Sequence, residues 1–222
     1  MVYQANTANS AEVAVTDLSP LSLRRAPLRR GGQLLAGLAL YGTSMAMLTR
    51  AHLGLDPWDV LHEGLTKLTG LSFGVVTAIA SVFVLLLWIP LRQRPGVGTI
   101  ANILVISVTV DAVRAILPDQ HVLGWQILLL AGGVGLNAVA TAVYVGTRLG
   151  PGPRDGLMTG LTARTGRSVR LVRTGIEVTV LAAGWLLGGT AGIGTVLYAL
   201  SIGPLTQALL PLVTWRPAVG RL

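Results

Sequence analysis

Long uncharged apolar runs alternate along the chain with short segments that gather nearly all of its charge. Leu71 to Leu91, Gly98 to Leu117, Val122 to Gly146, Leu171 to Gly189 and Gly192 to Val213 each match the ~20 residues a helix needs to cross a bilayer core. Gly32 to Thr49 is a shorter sixth run. The pattern predicts an all-α membrane bundle of about six transmembrane helices and leaves no room for an aqueous catalytic domain. Residues 1–31 have no apolar period and read as a disordered basic tail ending in RRAPLRR, and residues 214–222 read as a short second tail.

A second periodicity is longer. The stretch LGLDPWDVLHEGLTKLTG, Leu53 to Gly70, returns 96 residues later without a gap as LGPGPRDGLMTGLTARTG, Leu149 to Gly166. At the same offset Gly96, Gly98 and Thr99 return as Gly192, Gly194 and Thr195. The chain therefore reads as a duplicated unit, residues 32–118 and 119–213, each of three spans plus one short helix. An odd number of spans delivers the chain to the opposite face of the membrane, so the second copy is expected upside down relative to the first.

Charge refines this expectation. With the N-terminus inside, the inner segments carry Arg24, Arg25, Arg29, Arg30, Arg92, Arg94, Arg148, Arg154, Arg164, Arg167, Arg170, Arg173, Arg216 and Arg221, and the outer side only Arg50, Lys67 and Arg114. The positive-inside rule then places both termini in the cytoplasm, with the chain in the cell membrane. The first copy of the phrase is acidic (Asp56, Asp59 and Glu63 against Lys67) and the second basic (Arg154 and Arg164), as inversion requires. The net charge of +8 does not point to nucleic acid, because the arginines border apolar runs instead of forming a basic face. The lipid bilayer is the partner the composition implies, and the lack of cysteine excludes disulfides and thiolate chemistry.

Within each repeated phrase the residues spell the start of a short helix. Asp56 is an N-cap, Pro57 the first helical residue and Asp59 the third; Gly152, Pro153 and Asp155 are their counterparts. Two readings fit: an amphipathic helix lying at the interface with Asp59 and Asp155 as caps, or a re-entrant half-helix that gates a cavity. His62 with Asp59 and Glu63 has the spacing of metal ligands, but the second copy offers Met158 and Thr159 there, so no metal and no cofactor are expected. Ionisable and amide groups inside the runs are candidates for a transport pathway: Glu177 with Arg173 and Arg170 on its face, Asp111 with Arg114, and Asn102 and Asn137. Each also has a structural explanation, as an intrahelical pair or an interhelical hydrogen bond. Small-residue stripes at Gly184, Gly188 and Gly192, and at Ala138, Ala142 and Gly146, suit close helix packing within one chain or in a homodimer.

Together, LGLDPWDVLHEGL, LRQRPGVGT, GPGPRDGLMTGL and GGTAGIGT resemble the bacterial YczE membrane proteins, related to the YitT group, over about residues 32 to 213. The resemblance implies a small polytopic plasma-membrane protein and carries over no catalytic residues. Two functions are consistent with the sequence. One is a secondary transporter or exporter of a small-molecule substrate, its inverted halves rocking about a shared cavity with Glu177 as coupling carboxylate. The other is an accessory or regulatory membrane protein that binds a partner and moves nothing, which the scarcity of polar residues in the spans favours. An enzyme is not expected: His52, His62 and His121 are the only histidines, and no nucleophile and base stand at a recognisable spacing.

Overall fold

The computed structural model describes Leu18, Leu21, Ser22 and residues 26–215. Most of the expected N-terminal tail, with Arg24 and Arg25, and the C-terminal tail beyond Trp215, with Arg216 and Arg221, lie outside the described residues. Among the described residues the chain is all-helical: α1 (Pro27–Ala51), α2 (Pro57–Thr69), α3 (Phe73–Leu91), α4 (Val97–Ile116), α5 (Leu123–Val145), α6 (Pro153–Thr165), α7 (Val169–Leu186) and α8 (Ile193–Val213). Four of them, α3, α4, α5 and α8, are long and apolar enough to cross a membrane. The two remaining long helices, α1 and α7, carry more charge: Arg29, Arg30 and Arg50 on one, Arg170, Arg173 and Glu177 on the other.

Helix α1 starts earlier than the sequence pattern suggests, with Pro27 in its first turn. Arg30, expected as an exposed flank charge, is fully buried. Its Nε donates to the Thr147 carbonyl at 2.9 Å and its Nη2 to the Arg148 carbonyl at 3.2 Å, so it serves carbonyls just past the C-terminal end of α5.

The repeat is visible in the backbone. α2 and α6 begin and end 96 residues apart; α3 and α7, α4 and α8, and α1 and α5 also begin 96 residues apart, and their ends differ from that offset by only one or two residues, α1 running two residues further at its C-terminal end than α5. Equivalent special conformations recur: His52 and Arg148 at φ 55° and 57°, Gly54 and Gly150 at 119° and 126°, and the capping Gly70 and Gly166 at 72° and 66°. Ser72 and Ser168 cap α3 and α7 alike, accepting from the Val75 and Leu171 amides at 3.2 and 3.3 Å.

The copies are interleaved instead of standing side by side. α1 packs on α5 along the centre, α2 packs on α7 of the other copy, and α6 packs on α3. The Gly98 amide at the start of α4 donates to the Leu149 carbonyl (3.0 Å), and its counterpart Gly194 at the start of α8 donates to Leu53 (2.8 Å). A side chain at Gly98 or Gly194 would press on those same backbone segments, which explains the repeated GVGT and GIGT. Across α3 and α6 the Trp88 ring fills the space over Gly156; at the equivalent junction Gly184 of α7 lies against the Val60–Leu61 backbone of α2. The stripe containing Gly184 and Gly192 is thus used inside the chain, as are Ala138 and Ala142, which are fully buried. On the outside, Phe83, Ile89, Leu104, Val108, Trp185 and Leu200 are exposed on α3, α4, α7 and α8, an apolar surface matched to lipid tails.

Candidate functional site

Both short helices start in the interior and end at the surface. Pro57 and Asp59 of α2 and Pro153 and Gly156 of α6 are buried, whereas residues 67–70 and 163–166 are exposed. The first turns of the two helices meet across the middle of the molecule. There they border a cavity of about 770 Å³ reached by α1, α3, α4, α5, α7 and α8 as well.

Positions 96 apart face this cavity in pairs: Pro57 and Pro153, Trp58 and Arg154, Thr77 and Arg173, Ser81 and Glu177, Asn102 and Tyr198, Ile106 and Ile202. At three of these pairs (Trp58 and Arg154, Thr77 and Arg173, Ser81 and Glu177) the second copy contributes a charge opposite a neutral group, and at Asp56 and Gly152 the first copy contributes it. Duplication supplied the shape of the chamber, and divergence supplied its chemistry.

Asp56 caps α2, its Oδ1 accepting from the Trp58 and Asp59 amides at 2.9 Å each. Arg154 reaches across from α6 with Nη1 3.5 Å from Asp56 Oδ1 and Nη2 3.4 Å from Asp59 Oδ1. Its guanidinium carbon stands 5.1 Å from the centre of the Trp58 ring. Behind the cavity wall, His62 is buried with Nδ1 3.2 Å from Asp59 Oδ1 and 3.3 Å from Thr77 Oγ1. The Thr77 hydroxyl donates to the Phe73 carbonyl, so both oxygens facing Nδ1 are acceptors and that nitrogen carries the hydrogen. Oδ2 of Asp56 and of Asp59 are buried without a hydrogen-bond partner.

On the second copy, Gly152 offers no side-chain cap, and Asp155 instead accepts from the Tyr144 hydroxyl at 3.0 Å. Tyr198 donates to Asn137 Oδ1 at 2.9 Å, and Asn137 donates to Ser44 Oγ at 2.8 Å, forming a buried polar chain under the cavity floor. Tyr41 completes the aromatic lining and meets Tyr144 edge-on at 6.1 Å.

The residues singled out from sequence divide accordingly. Asp56, Gly152, Asp155, Asn102, Arg173 and Glu177 line the cavity. Asp59 lies directly behind Asp56, and Asn137 acts through Tyr198. Glu177 is bound by Arg173 Nε at 2.8 Å in an intrahelical pair and is about one-third exposed. Asp111 lies outside the cavity lining: it accepts from the Ser72 hydroxyl at 2.5 Å and the Gly74 amide at 2.7 Å, tying α4 to the start of α3. Arg114 turns to the Phe73 ring, 5.0 Å away. Among the described residues no cluster of three metal-ligating side chains occurs.

Sequence reasoning missed the most central group. Arg154 reads as one of many flank cations, and only the meeting of α6 with α2 turns it inward. The available signal was the 96-residue alignment itself, which sets Arg154 opposite Trp58 in an otherwise matched phrase. Tyr41, Tyr144 and Tyr198 were equally hidden, because an aromatic residue in an apolar run is ordinarily core.

These features define a polytopic helical membrane protein built from a duplicated unit around a cavity with both apolar and charged lining. The chain belongs to the family of unknown function DUF6198, whose sequence profile matches residues 28–211. It is 35% identical over 204 residues to an uncharacterized protein of Haemophilus influenzae, covering 92% of this chain and 94% of that one. To the uncharacterized membrane protein YczE of Bacillus subtilis it is 36% identical over 182 residues, covering 79% and 83% of the two chains. The uncharacterized protein YyaS of the same organism is 25% identical over 181 residues, with 80% and 90% covered. No solved structure matches the chain. The protein is accordingly a YczE-like membrane protein, in agreement with the motifs read from the sequence.

Proposed function

We propose that this protein is a secondary transporter of a small solute in the cell membrane, which moves its substrate without altering it. In this reading α1 and α7 join the four strongly apolar helices as spans, the two copies lie in opposite senses across the bilayer, and both termini are cytoplasmic. α2 and α6 are half-helices whose first turns meet at the substrate path. The carrying observation is the cavity of about 770 Å³ between the copies, in the size range of small-molecule sites and lined at equivalent positions of both. A chamber that holds Asp56, Arg154, Asp155, Arg173 and Glu177 within an apolar bundle is costly to maintain for packing alone. Rocking of one copy against the other would expose it to either side in turn.

The inverted arrangement is tested with single cysteines at Thr69 and Thr165, equivalent and exposed residues at the ends of α2 and α6. His62 is unsuited to labelling because it is buried. A membrane-impermeant maleimide applied to intact cells is expected to label Thr69→Cys alone, and Thr165→Cys only after permeabilisation. Labelling of both from one side rejects the inversion. Transport itself is tested in proteoliposomes against a panel of labelled small solutes; Tyr144→Phe, which releases Asp155 into the cavity, is expected to change the uptake rate of the transported solute. Vesicles that stay tight to the whole panel while the protein keeps a bound protein partner would favour the accessory role instead.

A further inference from the structure

Two carboxylates and one guanidinium form an unbalanced cluster where α2 meets α6. Asp56 and Asp59 are 2% and 0% exposed. Among the described residues Arg154 is the one guanidinium or ammonium within 4.0 Å of either. Its distances of 3.5 and 3.4 Å are longer than the 2.7–2.9 Å of a close charge-assisted bond. Each acid uses its Oδ1 for every contact described above, and each leaves Oδ2 buried without a partner.

Within 4.0 Å of either acid the described residues offer no second counter-charge; Arg170 of α7 also borders the cavity but pairs with neither. On α2, His62 donates Nδ1–H, and Glu63 is already engaged by the Thr190 amide and by Lys67. On α6, Asp155 is held by Tyr144 of α5. Tyr41 of α1 and Tyr198 of α8 bring hydroxyls, and Thr77 of α3 brings another. Glu177 on α7 is matched by Arg173. One negative charge therefore remains on the Asp56–Asp59 pair, in a setting that disfavours an uncompensated buried charge and favours its neutralisation by a proton. An unpartnered carboxylate oxygen is where that proton would reside.

We propose that Asp56 and Asp59 bind one proton between them, and that this proton is the coupling ion of the transport cycle. The second statement rests on the transporter reading above; the first does not. Loaded, the pair carries one negative charge against Arg154 and the cluster is neutral. On release of the proton to water, two carboxylates grip Arg154 and draw the first turns of α2 and α6 together across the cavity. The substrate path is thereby linked to a proton through a contact between the two copies.

Infrared spectroscopy of the purified full chain in lipid nanodiscs tests the site without any substrate. At neutral pH the wild-type protein is expected to show the C=O stretch of one protonated carboxylic acid that is missing from both Asp56→Asn and Asp59→Asn, because a single remaining carboxylate is balanced by Arg154. Arg154→Gln, lacking the balancing cation, is expected to show about twice the wild-type band, by the same neutralisation. Glu177→Gln is expected to keep it. Absence of the band from the wild-type protein overturns the proposal without reliance on any variant, as it would if the proton sat on His62. So does a band of undiminished intensity in both Asn variants of monodisperse protein. Solute uptake by proteoliposomes with no accompanying pH change, the band being intact, removes the coupling role; a band in protein that moves no solute removes the transporter reading and leaves the proton site.

Discussion

Trp58 and Arg154 occupy the same position in the two copies of one unit, 96 residues apart, and they stack on each other, the guanidinium carbon 5.1 Å from the ring centre. Two tryptophans or two arginines at this self-facing position would lose the attraction between a cation and a ring, and two arginines would repel. Divergence at one pair of equivalent residues thus created the central contact between the copies. Trp58→Leu is expected to lower stability by about 1 kcal/mol, and Trp58→Arg by more, in equilibrium unfolding in mild detergent. Equal stability of the wild-type and Trp58→Arg proteins would show that the stacking contributes nothing.

The two linkers that precede α2 and α6 depend on glycine to different degrees. Gly54 and Gly150 share φ near 119° and 126°, a region that side chains rarely enter, at a cost of roughly 1–3 kcal/mol. A Cβ on Gly54 would also come within 2.8 Å of the Gly192 and Thr195 amides, whereas one on Gly150 meets nothing closer than 3.2 Å. Gly54→Ala is therefore expected to be the more damaging, with Gly135→Ala, in open space inside α5, neutral or stabilising by about 0.5–1 kcal/mol. The ordering is read from denaturant midpoints, and a Gly150→Ala loss exceeding that of Gly54→Ala contradicts it.

The buried chain from Tyr198 through Asn137 to Ser44 makes a coupled prediction. Tyr198→Phe strands the Asn137 carbonyl oxygen, an expected loss of about 1–3 kcal/mol. Adding Asn137→Leu should cost less than its single effect suggests, because the orphaned acceptor disappears with it. A double-mutant cycle on unfolding free energies measures this, and strict additivity would mean that the two residues do not support one another.

A peripheral cluster gives a pH dependence whose sign is fixed by geometry. Between α4 and α5, Asp119 Oδ2 lies 2.7 Å from Arg50 Nη1 and Oδ1 lies 2.8 Å from His52 Nε2. The hydrogen bond from Arg50, with that from His52 and the two charges adding to it, holds the Asp119 carboxyl below its ordinary value. Because the carboxyl is more acidic folded than unfolded, it stabilises the fold where unfolded carboxyls are ionised, and the contribution fades as the pH falls through its folded pKa. The site is nearly half exposed, so Asp119→Asn is expected to cost about 0.2–1 kcal/mol at neutral pH. That difference should vanish in acid below the usual carboxylate range; a cost that grows with acidity would reverse the assigned sign.

Local pattern and repetition were sufficient for much of this protein. Apolar run length announced the helices, the 96-residue offset announced two equivalent units, and Pro57 with Asp56, or Pro153 with Gly152, marked where each short helix begins. These are properties of neighbouring residues, and they survive in one dimension. The pairing of α2 with α7 and of α6 with α3 is a property of distant surfaces, set by how Trp88 fits over Gly156 and Gly184 against Val60. That interleaving alone turned Arg154 from an apparent flank charge into the partner of Asp56 and Asp59, and gathered three tyrosines from α1, α5 and α8 around one cavity. Charge balance among groups nearly a hundred positions apart can be counted only after the chain has folded, because burial decides which charges need a partner and packing decides which ones have it.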